Sequence, residues 1–374
     1  MNRAFGVAGT AAMSSEADDK GLTMTGYILL ADGMRLDGRL VGPAKTVTGW
    51  VAANTAVVGF QEMVTDPAYK DRILAFTYPE IGNVGVTEAF SESPHVQVAA
   101  LVVRELSQFR SHYLSEDSFE SMLGREGVLC LCGIDTRGLA VHLRQKGEMA
   151  AAIAPDSADE RELAKVLRTK ERPEFEPSNG VPVPSHREGK KVAVINLGIR
   201  KSHLGQLARC CTPVLFGYDA SPEAILACNP AGVFVSDGSG AVLPPSETVK
   251  TIKSLLGRIT LFGCGLGQVA LGMALGCKAA FLKRGHHGVN YPVRNTVDGA
   301  VEVTAQRHTV MLDRDSVSKN RRVQILWENM NDGTVEGIRS TDGTAVGMQA
   351  ILAAPRPDGL NAHIAGFVQA LGGD

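Results

Sequence analysis

Arg258-Ile259-Thr260-Leu261-Phe262-Gly263-Cys264-Gly265-Leu266-Gly267-Gln268-Val269-Ala270-Leu271, residues 258–271, is the stretch on which the fold turns. Its apolar opening predicts a buried strand. The Gly-Cys-Gly-Leu-Gly run that follows is a tight turn, and apolar residues then continue as a helix from Gly267 to Gly276. The same strand-to-helix order recurs on the N-terminal side. Strands are predicted at Lys191–Asn196, Thr212–Phe216 and Gly232–Ser236, with helices at Leu204–Ala208, Pro222–Cys228 and Ser246–Leu256. Such alternation predicts an α/β unit with a mostly parallel sheet and helices on both faces. Beyond it lie β-rich inserts, among them Gln324–Trp327 and Thr344–Gln349.

The first half of the chain has a different rhythm. Strand patterns at Tyr27–Gly33, Arg39–Val41, Trp50–Ala53 and Arg72–Phe76 are punctuated by Gly, Asp and Pro, and a buried strand is predicted at Val128–Cys132. Asp135-Thr136-Arg137-Gly138 opens a helix, and residues 155–171 carry Leu163, Val166 and Leu167 at helical spacing among charges. A breaker-rich stretch from Pro173 to Gly189 reads as a linker. The expected organisation is a tail at 1–23, a strand-rich domain at 24–150, a helical segment and linker at 151–189, and the α/β domain at 190–374. The small, polar tail lacks the apolar core of a secretory signal, and its acidic end does not suit a transit peptide. Met24 is an alternative start.

A net charge of −2 in 374 residues gives no general attraction to nucleic acid or anionic membrane. No apolar run approaches the roughly 18 residues of a bilayer span. Seven cysteines without CxxC pairs suit reduced thiols in a cytoplasmic protein better than a disulfide framework.

The stretches AANTAVVGFQEMVTDPAYKDRILAFTYPEIGNVG (52–85), GIDTRGLAVHLRQKG (133–147), LFGCGLGQVALGMALG (261–276), KRGHHGVNYPV (283–293) and VEVTAQRH (301–308) resemble, in order, the small, glutamine-hydrolysing subunit of carbamoyl phosphate synthetase. That family implies a small-subunit-type N-terminal domain followed by a class I glutamine amidotransferase domain.

The resemblance also implies where catalytic groups belong, and several of those positions hold none. The family nucleophile, a cysteine on a strand-to-helix elbow, matches Gly265. Cys264 stands one residue early and is expected to point into packing beneath the sheet; a shifted elbow using Cys264 is the alternative. The family's histidine base matches Ile351 and its orienting glutamate Ala353. His363 falls in an expected final helix as a surface or packing residue. The family turn that stabilises an oxyanion is here Asp237-Gly238-Ser239-Gly240-Ala241, so the backbone of Gly238 and Gly240 remains a candidate donor pair. Ala56, Val269 and Arg307 stand where the family has a serine, a glutamine and an asparagine. Arg307 is a candidate for recognising a carboxylate or phosphate, and His308 for a new pocket.

His286 and His287 invite a metal reading, but no complementary ligand set is evident in the sequence, and the resemblance points to an interface role. The implied function is a non-catalytic subunit that scaffolds or regulates a carbamoyl phosphate synthetase-like large subunit supplied with ammonia or another nitrogen donor. No cofactor, nucleic acid or membrane is expected. Two alternatives are an enzyme rebuilt in the old cleft on a small molecule, using Cys264, Arg307 or His308, and a module that binds a metabolite there.

Overall fold

Seven strands between Thr25 and Pro155 close into a barrel in the computed structural model, which describes residues 24–177, 189–356 and 359–372. The expected tail and most of the expected linker lie outside those residues. Around the barrel the order is Thr25–Leu30, Arg35–Val41, Leu129–Cys132, Ala100–Val102, Arg72–Phe76, Val47–Asn54 and Ala150–Pro155. Arg72–Phe76 runs parallel to both neighbours, and all five of its residues are buried. A strand covered on both faces needs such a continuous run. Arg35–Val41 instead alternates, exposing Arg35, Asp37 and Arg39. The helix Thr136–Lys146 begins where Asp135 accepts a hydrogen bond from the Gly138 amide, so the Asp-Thr-Arg-Gly turn is an N-cap.

The second unit is a single nine-stranded sheet. Thr212–Phe216, Lys191–Leu197, Gly232–Gly238, Thr260–Cys264 and Ala345–Met348 lie side by side and parallel. Val335–Ser340, Val323–Asn329, Ala279–Asn295 and Val301–Leu312 extend it antiparallel. This is the α/β arrangement anticipated from the strand–helix alternation. The helix Leu266–Ala274 is buried almost all round, leaving only Met273 partly accessible, because it packs between the sheet and the helix Ser246–Leu255. Buried leucines there, such as Leu271, each contribute about 1.5–3 kcal/mol relative to exposure.

The two units meet across buried ion pairs. Arg72 of the barrel donates to Glu148 Oε2 at 2.5 Å, and Glu148 Oε1 accepts from the Gly285 amide at 2.9 Å and lies 2.7 Å from His287 Nε2. Thr309 Oγ1 donates to Glu148 Oε2 at 2.9 Å. Nearby, Arg200 pairs with Glu92 at 2.8 Å and with Asp66 at 3.5 Å. A carboxylate with this many donors is a pin between layers, since breaking any one arm leaves a charge buried without its partner.

Candidate functional site

The strand Thr260–Cys264 ends at Gly265, which has φ 53° and ψ −119° and caps the helix Leu266–Ala274. This sharp strand-to-helix turn is the elbow inferred from the sequence. Gly265 offers no side chain, and a Cβ built on it would come within 2.8 Å of Asp237 Cβ. Asp237 therefore stands against the face of the elbow where an attacking group would be presented.

Cys264 is fully buried beneath this point. Burial, reinforced by the Asp237 carboxylate, pushes its thiol well above the ordinary range. Its sulfur lies 3.9 Å from His203 Nδ1, and the same nitrogen lies 3.4 Å from Asp237 Oδ1. His203 Nε2 accepts a hydrogen bond from the Leu352 amide at 3.2 Å. A relay needs the thiol on one ring nitrogen and the carboxylate on the other. Here both face Nδ1, while Nε2 is held by backbone. Cys264 is thus buried against His203, whose Nδ1 it shares with the Asp237 carboxylate.

The neighbouring turn is closed by its own contacts. A Cβ on Gly240 would lie 2.2 Å from Arg307 O, and one on Gly238 would lie 2.3 Å from Leu197 O. These glycines permit backbone-to-backbone approach. The Gly240 amide donates to Ala68 O at 3.1 Å, and its carbonyl accepts from Thr309 N at 2.6 Å. Gly240 is thus withdrawn from the role of oxyanion donor that the sequence suggested for it.

Further along the inter-unit face sits a second polar group. His286 lies between Asp332 Oδ2, 2.8 Å from Nε2, and Gln306 Oε1 and Glu336 Oε1, 2.7 and 3.4 Å from Nδ1. Burial opposes its charge, but Asp332 and Glu336 raise it to about 9. Burial pushes His287 down, aided by Arg72 and His286 against the pull of Glu148. Burial likewise holds His308 well below the ordinary imidazole range. A cavity of about 1030 Å³ lies in the seam, lined by residues including Glu62, Phe90, Glu92, Ser202, Gln206 and Arg356. Gly265, Gly240, Arg307 and His308 do not line it.

Residues 28–153 match the CPSase domain of the carbamoyl-phosphate synthase small chain, and residues 194–350 match class-I glutamine amidotransferase. The sequence is 37% identical to the carbamoyl phosphate synthase small chain of Methanopyrus kandleri over 336 residues, covering 87% of this chain and 93% of that one. The chain belongs to the carbamoyl phosphate synthase small chain family. It is also 33% identical to the small chain of Listeria monocytogenes, covering 92% of this chain and 96% of that one. Identity to the pyrimidine-specific small chain of Halalkalibacterium halodurans is again 33%, with 92% and 97% covered.

Arg307 pairs with the buried Asp66, which also lies 3.5 Å from Arg200. His363 lies half-buried in the helix Ala362–Ala370, 3.3 Å from Glu302 and edge-on to Trp327, a packing residue as anticipated. Ile351 and Ala353 stand in the segment after Ala345–Met348 and bring no titratable group to the elbow. His287 holds Glu148 across the seam between the two units, whereas His286 faces Asp332, Glu336 and His308. The sequence offered no ligand partners for His286; the fold brings His308 and Glu336 to it. His203, Glu148 and Glu336 escaped sequence reasoning as site residues, because each acts through a neighbour more than 30 positions away and none carries a local motif; Asp237 was read only as the start of the oxyanion turn. Among the described residues no helix is long and apolar enough to cross a membrane.

Proposed function

We propose that this chain is a small-chain homologue without glutaminase activity, which scaffolds or regulates a carbamoyl phosphate synthetase-like large subunit using ammonia or another nitrogen donor. Small chains of this family work with a large subunit. The observation that carries the proposal is the elbow: Gly265 has no nucleophile, and Asp237 stands 2.8 Å from the point where a Cβ would begin. Covalent catalysis needs a nucleophile within reach of a base. The one thiol close by is buried against a histidine whose second nitrogen is occupied by backbone.

The fold around the elbow remains well built. The helix Leu266–Ala274 is buried and Glu148 gathers donors from both units, which favours a binding and positioning role over loss of all function. Of the groups a rebuilt enzyme would use, Arg307 and Cys264 are engaged internally, whereas His308 is buried without a hydrogen-bond partner.

Purified chain, alone or with its partner, is expected to release no glutamate from glutamine above a buffer blank. Co-purification from the native cell is expected to retain a much larger synthetase-like chain. Glutamate release, or a thioester on Cys264, would refute the inactive reading; absence of any large partner would refute the scaffold.

A further inference from the structure

We propose that His286, His308 and Glu336 form a binding site for one divalent transition-metal ion of the Zn²⁺ class. Two imidazoles and a carboxylate are a donor set suited to such ions, with three protein ligands leaving a position for water. His286 and His308 sit directly opposite each other on the antiparallel pair Ala279–Asn295 and Val301–Leu312, and their rings are 5.0 Å apart. Glu336 comes from the strand Val335–Ser340, and its Oε1 lies 3.4 Å from His286 Nδ1. One donor atom from each residue lies within 4.8 Å of the others. Two metal–ligand bonds of about 2.0–2.1 Å span at most about 4.2 Å. Side-chain shifts of under about an ångström therefore close the site.

A second observation points into the same space. Both ring nitrogens of His308 and Glu336 Oε2 are buried without a hydrogen-bond partner, in residues 4% and 0% exposed. Buried polar atoms are rarely left so, because each carries its full desolvation cost. An ion would satisfy His308 and Glu336 together. The surrounding shell also fits. His286 Nε2 is 2.8 Å from Asp332 Oδ2, the carboxylate–histidine arrangement that orients a ring with its other nitrogen toward a metal. Asp332 is itself held by the Thr334 amide and hydroxyl at 3.1 and 2.8 Å, and Asn329 Nδ2 donates to Glu336 Oε1 at 2.9 Å. Gln306 Oε1, now 2.7 Å from His286 Nδ1, gives way when the ion enters, and the ring releases its Nδ1 proton to solvent as the metal replaces it.

His203, Asp237 and Cys264 form a competing donor group, but the Arg200 cation acts on both Asp237 and Cys264. That cation opposes a second positive charge there. An ion at His286 would tie three strands of the antiparallel extension together directly behind the Gly240 turn, which receives the Thr309 amide.

The test uses the full chain stripped with chelator, titrated with Zn²⁺ by calorimetry and with Co²⁺ by absorption. One equivalent of Zn²⁺ is expected, with Co²⁺ giving ligand-field bands and no thiolate charge-transfer band. His308→Gln and Glu336→Gln are expected to weaken binding by more than roughly 100-fold, and Asp332→Asn by roughly 10- to 100-fold. Cys264→Ser should leave it unchanged. Asp332 is partly exposed, so its variant tests the site even if the buried substitutions impair folding, which circular dichroism would reveal. No saturable uptake, uptake indifferent to all three site variants, or a thiolate band would overturn the assignment.

Discussion

At Gly265 the backbone adopts φ 53°, a region that costs an L-residue strain of order 1–3 kcal/mol. Families that place a cysteine on such an elbow sustain that strain because the side chain is needed there. Here the glycine relieves it, and Asp237 has closed over the position. Gly265→Cys is therefore expected to lower stability by roughly 1–3 kcal/mol, measured by urea denaturation, and to restore no glutamine turnover. Turnover in that variant would show that a competent base lies near the elbow after all. The buried pair Arg72–Glu148 sets a second expectation. Arg72→Met strands an ionised carboxylate among His287, Thr309 and the Gly285 amide, and should destabilise the fold by about 3–5 kcal/mol in the same assay. Glu92 supplies a pH dependence. Burial would raise its carboxyl, but Arg200, the Ser202 amide and His203 bring it down to about 2. A depressed native value means that the ionised form is favoured by folding. That stability is complete above the unfolded value of about 4.3 and is lost as pH falls through about 2. Glu92→Gln should flatten the fall of the urea midpoint across that window; an unchanged slope would assign the acid sensitivity to other carboxylates.

Among the elements, the strand–helix alternation of the second unit was legible because each apolar run is bounded by turn residues and carries its own period. Lys191–Leu197, Thr212–Phe216 and Leu266–Ala274 lie within two residues of their expected bounds. Ala150–Pro155 was not legible. Alanine favours helix, and nothing in Ala-Ala-Ala-Ile-Ala-Pro signals a strand. It becomes one because pairing with both Thr25–Leu30 and Val47–Asn54 closes the barrel, and small residues fit that position. The 17-residue strand Ala279–Asn295 was equally hidden, since its burial follows contacts on several sides and not a strict alternation. Where the helix Thr136–Lys146 ends, Gly147 takes φ 99°, and a Cβ there would lie 2.9 Å from Lys283 O. Gly147→Ala should thus push the helix terminus off the long strand, costing roughly 1–3 kcal/mol. Faster hydrogen exchange at the Gly285 and His287 amides would locate the damage at the seam; protection unchanged there would mean the backbone accommodates the methyl elsewhere.

For the molecule as a whole, the seam joins the two units through bonds between residues more than a hundred positions apart. A reconstituted complex with its large chain is expected to make carbamoyl phosphate from ammonia but not from glutamine, followed by product formation with each donor. Equal rates with both would return a glutaminase to this chain. That position 265 is a glycine, and that 351 and 353 hold Ile and Ala, could be read without coordinates, because the residues themselves are in the sequence. The closure of the elbow by Asp237, the diversion of Arg307 to Asp66 and the meeting of His286, His308 and Glu336 could not. Those depend on which strands become neighbours, and strand order in a sheet is set by packing across the chain, on which no local run of residues carries the information.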